Sequence, residues 1–440
     1  MFLLNLLPVF ITVFGFYFLL KLRFFYIIRP RMLLPRLRNI LKDKSSRRAL
    51  ALALAGTLGV GNIVGVAFGI SVGGAGSLFW ILISALFASV IKYAESSLGS
   101  LYRSEAGGGM SFVIRSTLGR AGIPISYAYA LLCIGLSFAM GGALQSKSAV
   151  EAAAFSTGIN PSLFALIFSV LVLVVIIRGA NFIESFTAFV IPLATIVYIF
   201  LCFGIIFVNF NNIPKVLAEV LKSAVGIRSA AGGILGFTFS HTIREGFARG
   251  LLSNEAGAGT SAMAESRADV NPADVGLLGV FEVFFDTVIL CPLTGFAVLL
   301  SMPDPSEFSS GMEIVSRAVF SVFGGFGASV LFILISLFAY STVVCWYFYG
   351  MQSVRFIFGR KKSGLYTALF IYFVFVGFII PSAFLISVSD YLLLIMTILT
   401  LLTLIKSSER ILRLSEQYGL LKKSDMRKGR NSIGKKQGKL

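Results

Sequence analysis

Long apolar segments dominate this chain of 440 residues and constrain its fold more than any other feature. A helix needs roughly 20 apolar residues to cross the hydrocarbon core of a bilayer, which is about 30 Å thick. About eleven segments meet this requirement: 3–20, 49–70, 78–100, 123–146, 162–178, 184–208, 229–247, 273–300, 327–350, 364–382 and 385–405. Only 13% of the residues are charged, about half the usual share in a soluble domain. The sequence therefore predicts an all-α polytopic membrane protein and excludes a soluble enzyme, a disulfide scaffold and a disordered chain.

Basic residues are concentrated in two blocks at the ends of the apolar region. Ten of the 38 Lys and Arg residues lie between Lys21 and Arg48, and eleven lie between Lys406 and the C-terminus. Cytoplasmic loops carry the excess of positive charge, so an odd number of helices is needed to place both blocks inside. We expect an integral plasma-membrane protein, in the bacterial inner membrane, with its N-terminus outside and its C-terminus cytoplasmic. The tail from Lys422 to Leu440 has no aromatic residues, which disfavours nucleic-acid binding.

Two of the apolar segments are interrupted by glycine. The second contains GTLGVGN at residues 56–62, and the seventh contains GG at 232–233 followed by GFT at 236–238. Each glycine weakens a helix by about 1 kcal/mol, so both helices are expected to break. Each break falls in the first helix of a five-helix set, and the two sets enter the membrane from opposite sides. This is the inverted five-plus-five repeat of secondary transporters, although such glycines also serve only close helix packing in many membrane proteins.

These features divide the chain into five parts. They are an extra N-terminal transmembrane helix (1–20), a basic cytoplasmic linker (21–48), a first five-helix repeat (49–208), a second five-helix repeat (229–405) and a basic cytoplasmic tail (406–440). The charges of the first segment follow its apolar residues rather than precede them, which indicates a retained helix and not a signal peptide.

Four stretches resemble motifs of the alanine or glycine:cation symporter family. They are GTLGVGNIVGV (56–66), GGAGSLFW (73–80), RGLLSNEAGAG (249–259), and Ser341-Thr342 followed by WYFYG (346–350). The resemblance implies a fold of the amino acid-polyamine-cation or neurotransmitter:sodium symporter type, and transport of the sodium:alanine symporter or D-alanine/glycine permease kind. Some positions depart from the family pattern. Val60 stands where the family usually has Thr, Ile81-Leu82 replaces Met-Trp, Ala262 replaces Pro, and Glu265 replaces His.

The resemblance places a substrate site at the two breaks. Unpaired backbone N–H groups of a broken helix attract a carboxylate, and unpaired carbonyls attract a cation or an ammonium group. The expected substrate contacts are Gly59, Val60, Gly61, Asn62, Gln145, Gly236, Phe237, Thr238, Ser240 and Trp346. Asn62 has an alternative role as a hydrogen bond between helices, and Phe237 and Trp346 have alternative roles as ordinary packing residues.

A sodium site is expected beside the substrate. Phe338, Ser341 and Thr342 lie on one face of a helix, and they offer one carbonyl and two hydroxyl oxygens. The carbonyls of Ala55 and Leu58 at the first break would complete a set of about five ligands. The alternative is that the two hydroxyls only bond back to their own helix. We expect no organic cofactor and no transition-metal site.

Charged residues inside apolar segments need a reason, because each costs roughly 2.5–3.5 kcal/mol at mid-helix. Lys92 and Glu95, three residues apart, are expected to pair. Glu282 and Asp286 are expected in structural or gating ion pairs. The alternative is a proton relay that involves Asp286, Glu282 or His241.

Three functions are compatible with this sequence. The first is sodium-coupled symport of a small neutral amino acid, alanine or glycine and including D-alanine, into the cell. The second is proton-coupled amino-acid transport by the same fold. The third is an uncoupled channel or scaffold, which would leave two matched breaks unexplained. GGG at residues 107–109 lacks the following Lys-Ser/Thr of a nucleotide-binding loop, which favours an ion gradient over ATP as the energy source. No enzymatic activity is expected.

Overall fold

The computed structural model describes residues 6–105, 107–226, 234–302, 305–308 and 310–421, with the side chains of 6–7, 155, 234–240 and 306 left out. Its described residues form helices and no β-sheet. The helices are α1 (Leu6–Lys21), α2 (Phe25–Ile28), α3 (Pro30–Ile40), α4 (Lys44–Thr57), α5 (Val64–Gly73), α6 (Ser77–Leu101), α7 (Met110–Thr117), α8 (Gly122–Leu136), α9 (Gln145–Thr157), α10 (Pro161–Ile176), α11 (Ala180–Val208), α12 (Ile213–Val225), α13 (Ile234–Asn254), α14 (Ser261–Glu265), α15 (Pro272–Val283), α16 (Cys291–Ser301), α17 (Gly311–Phe358), α18 (Ser363–Val376), α19 (Ser382–Lys406) and α20 (Ser408–Gln417).

Several of these helices have the length and apolarity needed to cross a membrane. Within the described residues, six continuous helical stretches meet that requirement, and a bent pair makes a seventh. Shorter apolar helices cover Pro8–Lys21, Pro161–Ile176 and Ser363–Val376. The protein is thus an integral membrane protein with several apolar spans, while the total of eleven and the inverted repeat stay predictions.

The first predicted break is present. The segments Lys44–Thr57 and Val60–Gly73 meet at an angle of 61°, and a short 3₁₀ turn occupies Val60–Asn62. Gly59 is extended, with φ −97° and ψ −159°. The helical hydrogen bonds of α4 therefore stop at a cluster of glycines, as their low helix propensity predicts.

The second predicted break falls largely outside the described residues. Residues 227–233, which include the glycine pair at 232–233, are not described. Residues 236–238 lie in the first turns of α13, whose backbone is helical from Ile234. A break at 236–238 is therefore wrong for this structure, and a break at the glycine pair stays a prediction.

Two helices of the central core contain π-helical turns. One occupies Ser137–Leu144, directly before α9, and the other occupies Phe284–Leu290, between α15 and α16. Such turns widen a helix locally and are frequent at functional sites. The first lies against α17, and the second lies against the 3₁₀ turn of the first break.

The helices around the break are packed closely enough to fix its position. α6 lies along α13 and α15, while α17 lies along α4, α5 and α9. Small residues allow these approaches. A Cβ on Gly279 would come within 3.0 Å of the Lys92 carbonyl, and a Cβ on Gly141 would come within 2.2 Å of the Trp346 Cβ. Larger residues at these two positions would force the helices apart.

Candidate functional site

Three residues from separate helices meet at the first break. A Cβ built on Gly59 would lie 3.0 Å from Thr342 Oγ1 and 3.3 Å from Gln145 Oε1. Gly59 belongs to the break, Gln145 begins α9 after a π-helical turn, and Thr342 lies in the middle of α17. The structure therefore brings together two expected substrate residues and one expected sodium ligand.

Unpaired polar atoms mark one face of α17. Thr342, Trp346 and Tyr349 follow one another at spacings of four and three residues, which places them on the same side of a helix. All three are buried. Thr342 Oγ1, Trp346 Nε1 and Tyr349 Oη have no hydrogen-bond partner among the described residues, and neither has Gln145 Oε1. Buried polar atoms in proteins are nearly always hydrogen-bonded, so this group calls for a polar ligand.

The expected sodium ligands differ in how far their oxygens are already used. Ser341 Oγ donates to the carbonyls of Phe338 and Leu337, each at 2.9 Å. This is the backbone bond that was the alternative role for the hydroxyl, although its lone pairs remain acceptors. Thr342 Oγ1 makes no such bond among the described residues. Thr342 is therefore the stronger of the two candidates.

The carbonyls at the end of α4 are released by the break. The N–H of Gly59 would close a helical turn on the carbonyl of Ala55, but it donates to Thr57 instead, at 2.8 Å. Leu58 is the last residue before the extended Gly59, where helical carbonyls lose their usual partners. Ala55, Leu58 and Phe338 are all buried. Their positions are compatible with oxygen ligands for a sodium ion.

Asn62 makes the interhelical contact that was its alternative role. Its Nδ2 donates to Asp286 Oδ1 at 2.5 Å, while its Oδ1 has no partner among the described residues. The Asp286 carboxyl also accepts from Ser253 and Thr287, each at 2.7 Å. One half of the Asn62 amide is thus held in place, and its oxygen stays available for a cation or an ammonium group.

Among the described residues, the structure gives no polar side-chain contact for the other expected substrate residues of the two breaks. Val60 is buried, whereas Gly61 is exposed and a Cβ there would meet no atom within 4 Å. The side chains at 236–240 lie outside the described residues, so the expected contacts of Gly236, Phe237, Thr238 and Ser240 stay predictions.

The expected pairing of Lys92 with Glu95 is wrong. The salt bridge of Lys92 is formed with Glu282, at 3.3 Å and with both side chains fully buried. Helical spacing favours the nearer residue, but α6 packs closely against α15. Tertiary packing therefore decides the partner.

Sequence reasoning expected Asp286 in an ion pair or a proton relay and missed its hydrogen bonds to Asn62, Ser253 and Thr287. The only available signal was the presence of a carboxylate inside an apolar segment, which marks functional positions in membrane proteins. The sequence could not show that Ser253 and Asn62, both distant along the chain, lie against that carboxylate. Among the described residues, no three His, Cys, Asp or Glu side chains are placed to hold a metal ion together.

Comparison with known proteins gives one consistent result. A family model described as the sodium:alanine symporter family matches residues 1–432. The sodium/alanine symporter AgcS of Methanococcus maripaludis is 29% identical over 347 residues, covering 76% of this chain and 75% of the relative. The amino-acid carrier protein AlsT of Bacillus subtilis is 31% identical over 322 residues, covering 72% of this chain and 67% of the relative.

A solved structure shares the fold. It is that of Mhp1, a nucleobase-cation-symport-1 family transporter, in a closed conformation with bromovinylhydantoin bound. The TM-score is 0.53 at 12% identity, over 86% of this chain and 94% of the other. At this identity the likeness concerns the transporter fold alone.

Proposed function

The chain belongs to the sodium:alanine symporter family, and from this premise we propose that it is a sodium-coupled symporter of a small neutral amino acid. Alanine and glycine are the proposed substrates, with D-alanine as a further member of the class. The observation that carries the proposal is the meeting of Gly59, Gln145 and Thr342 at the first break, where two buried oxygens have no partner among the described residues.

The site suits a zwitterion next to an alkali cation. The Asn62 oxygen and the free carbonyls of the break can accept from the substrate ammonium group, and the Gln145 amide can donate to its carboxylate. The Thr342 hydroxyl lies beside Gly59, so a sodium ion bound there would be close to the substrate carboxylate. Each ligand would then favour the binding of the other, as coupled transport requires.

Val60 supports a preference for small substrates without a polar side chain. It is buried at the break, where the family usually has a hydroxyl. A branched apolar side chain there would exclude large side chains and offer no hydrogen bond to polar ones.

Uptake into proteoliposomes tests the proposal directly. We expect labelled alanine or glycine to accumulate under an inward sodium gradient, and accumulation to stop when choline replaces sodium. Accumulation that continues in choline and follows an imposed pH difference would establish the proton-coupled alternative. The absence of both saturable uptake and counterflow would favour a channel or scaffold.

We also propose an arrangement in the plasma membrane, the bacterial inner membrane, with the N-terminus outside and the C-terminus in the cytoplasm. The extra helix would be followed by the repeats at 49–208 and 229–405. The support is that 33 of the 38 Lys and Arg residues then face the cytoplasm.

Two exposed lysines allow this topology to be tested. Lys42 and Lys215 are both exposed and would lie on opposite sides of the membrane. In a cysteine-free background, an impermeant maleimide should label Lys215→Cys and not Lys42→Cys in whole cells. The reverse pattern would invert the topology.

A further inference from the structure

A buried charge cluster is formed by residues that are not among the candidate substrate residues. It consists of the Lys92 ammonium and four carboxyl groups that act on it: Glu95, Glu255, Glu265 and Glu282. All five side chains are buried, with at most 1% exposure. α6, α14, α15 and the segment after α13 contribute them. If every group were ionised, one positive charge would face four negative charges without water, which is a strongly unfavourable arrangement.

Hydrogen bonds satisfy only part of this cluster. Lys92 donates to Ser261 and to both oxygens of Glu282, at 3.3 and 3.4 Å. Ser261 donates to Glu282 at 2.9 Å, and Ser96 donates to Oε2 of Glu265. Oε1 of Glu265 has no donor among the described residues. The donors place the two carboxyl groups next to each other: Ser96 lies one turn after Lys92 on α6, and Ser261, which donates to Glu282, lies one turn before Glu265 on α14.

Ionised carboxylates can only accept hydrogen bonds, so these neighbouring carboxyl groups can bond to each other only with a proton between them. We propose that Glu265 and Glu282 form a proton-binding site, in which one proton is shared between the two carboxyl groups. The proton comes from water, forms an O–H bond on Glu265 and donates to Glu282. Its release returns it to water and leaves one further negative charge in the cluster.

A proton fits this site better than a metal cation does. The Lys92 ammonium already lies against Glu282 and would repel a second cation at that distance. Burial, followed by the charge of Glu282, raises the pKa of Glu265 well above its usual range, while Lys92 acts in the opposite direction.

The other elements around Glu265 add few charges. α6 contributes Lys92 and Glu95, and Glu255 lies in the segment after α13. On α17, the thiol of Cys345 and the hydroxyl of Tyr349 interact electrostatically with Glu255 and Glu282. α4 packs against α14, and its buried residues are all uncharged.

One helical turn connects this site to the candidate substrate site. Glu282 lies four residues before Asp286, which holds the amide of Asn62. Loss of the shared proton would set two negative charges against each other and push α15 away from α14. We therefore infer that deprotonation displaces Asp286 and switches transport off at alkaline pH. The transport part of this inference rests on the proposed function, whereas the proton site itself does not.

Infrared difference spectroscopy of the purified protein tests the site without any transport. The wild type should show the C=O stretch of a buried carboxylic acid that disappears as the pH rises. Glu265→Gln should remove the contribution of the shared proton to this band, because its amide donates permanently to Glu282. Ser96→Ala should keep the band and move its midpoint to higher pH, because a donor to the ionised form is lost. A wild-type spectrum without a titrating band, or a Glu265→Gln spectrum that titrates with the same amplitude as the wild type, would overturn the site.

Uptake at a fixed sodium gradient tests the link to transport. Wild-type uptake should fall by about tenfold per pH unit above the midpoint of the band, the dependence for one proton. Glu265→Gln should transport with no such fall, and the exposed Glu105→Gln should behave as the wild type. If uptake does not change with pH although the band titrates, the link between the proton site and transport is wrong, while the proton site itself stands. A titrating band in a protein without sodium-driven uptake would reject the proposed function and leave the proton site standing.

Discussion

Asn62 and Asp286, 224 residues apart in the chain, are joined by a hydrogen bond of 2.5 Å between Nδ2 and Oδ1. The bond connects the break between α4 and α5 to the π-helical turn between α15 and α16. It also fixes the orientation of the Asn62 amide, since the nitrogen is held and the oxygen is left without a partner among the described residues. We therefore propose that Asp286 is a positioning residue for the candidate substrate site.

Removing the carboxyl group should weaken substrate binding. In Asp286→Ala the Asn62 amide loses its strongest partner and is free to rotate. We expect the KM for substrate to rise about 5- to 150-fold, the equivalent of 1–3 kcal/mol. Asp286→Asn should recover most of this loss, because an amide oxygen still accepts from Asn62. Uptake kinetics at saturating sodium measure both changes.

A competitor without an amino group separates positioning from general damage. The wild type should discriminate strongly between alanine and lactate, because the Asn62 oxygen can accept from an ammonium group. Asp286→Ala should lose part of this discrimination, while the exposed Asp269→Asn should keep it. Equal discrimination in Asp286→Ala and the wild type would show that Asp286 has only a structural role.

The sequence was sufficient to locate the first break and to identify the residues near it. Glycine spacing predicts a local loss of helix, and 56–62 is where α4 ends. Helical periodicity also predicts that Phe338, Ser341 and Thr342 share a face. These are local properties, which a single sequence records directly.

Contacts between distant helices could not be predicted in the same way. Lys92 pairs with Glu282, 190 residues away, rather than with Glu95. The choice depends on which faces of α6 and α15 meet, and many side chains contribute to that packing. The Asn62–Asp286 bond was hidden for the same reason, since an intramembrane carboxylate signals a partner without identifying it.

Space at the break gives a second prediction. Gly59→Ala is compatible with the backbone, because φ is −97°, but the new methyl group would lie 3.0 Å from Thr342 Oγ1 and 3.3 Å from Gln145 Oε1. Such crowding costs about 1–3 kcal/mol. The half-saturating concentrations of sodium and substrate should both rise, by about 5- to 150-fold.

Gly364→Ala provides the matched control for that change. Gly364 is in α18, and a Cβ there would have no neighbour within 4 Å. Uptake by this variant should equal that of the wild type. Unchanged sodium and substrate titrations for Gly59→Ala would mean that neither ligand occupies the space beside Gly59.

The start of α4 gives a prediction about stability and pH. Asp43 caps this helix by accepting from the N–H of Ser46 at 2.7 Å. The hydroxyl of Ser45 and the N–H of Ser46 lower the pKa of Asp43. Asp43→Ala should cost about 1 kcal/mol of unfolding free energy, measured by thermal unfolding in detergent.

The sign of the pH effect follows from the direction of the shift. A carboxyl whose pKa is lowered in the folded state stabilises the protein above its unfolded pKa. That contribution disappears as the pH falls through the folded value. The difference in unfolding free energy between the wild type and Asp43→Ala should therefore have its full size at neutral pH and become smaller in acid. Asp43→Asn retains a capping oxygen that does not titrate. The difference in unfolding free energy between Asp43→Asn and Asp43→Ala should therefore stay the same as the pH falls.

The hydroxyl of Thr342 provides the most direct test of the proposed sodium site. Thr342→Val keeps the shape of the side chain and deletes the oxygen that has no partner among the described residues. A missing ligand should cost about 1–3 kcal/mol. The sodium concentration for half-maximal uptake should then rise about 5- to 150-fold, with little change in substrate affinity at saturating sodium.

Thr403→Val is the appropriate comparison for that experiment. Thr403 is equally buried in α19, but its hydroxyl donates to the Leu399 carbonyl of its own helix at 2.7 Å. Its sodium titration should match the wild type. Ser341→Ala should fall between the two, because its hydroxyl bonds to its own helix and keeps only lone pairs for an ion. If Thr342→Val and Ser341→Ala both titrate with sodium as the wild type does, the coupling ion binds elsewhere in the protein.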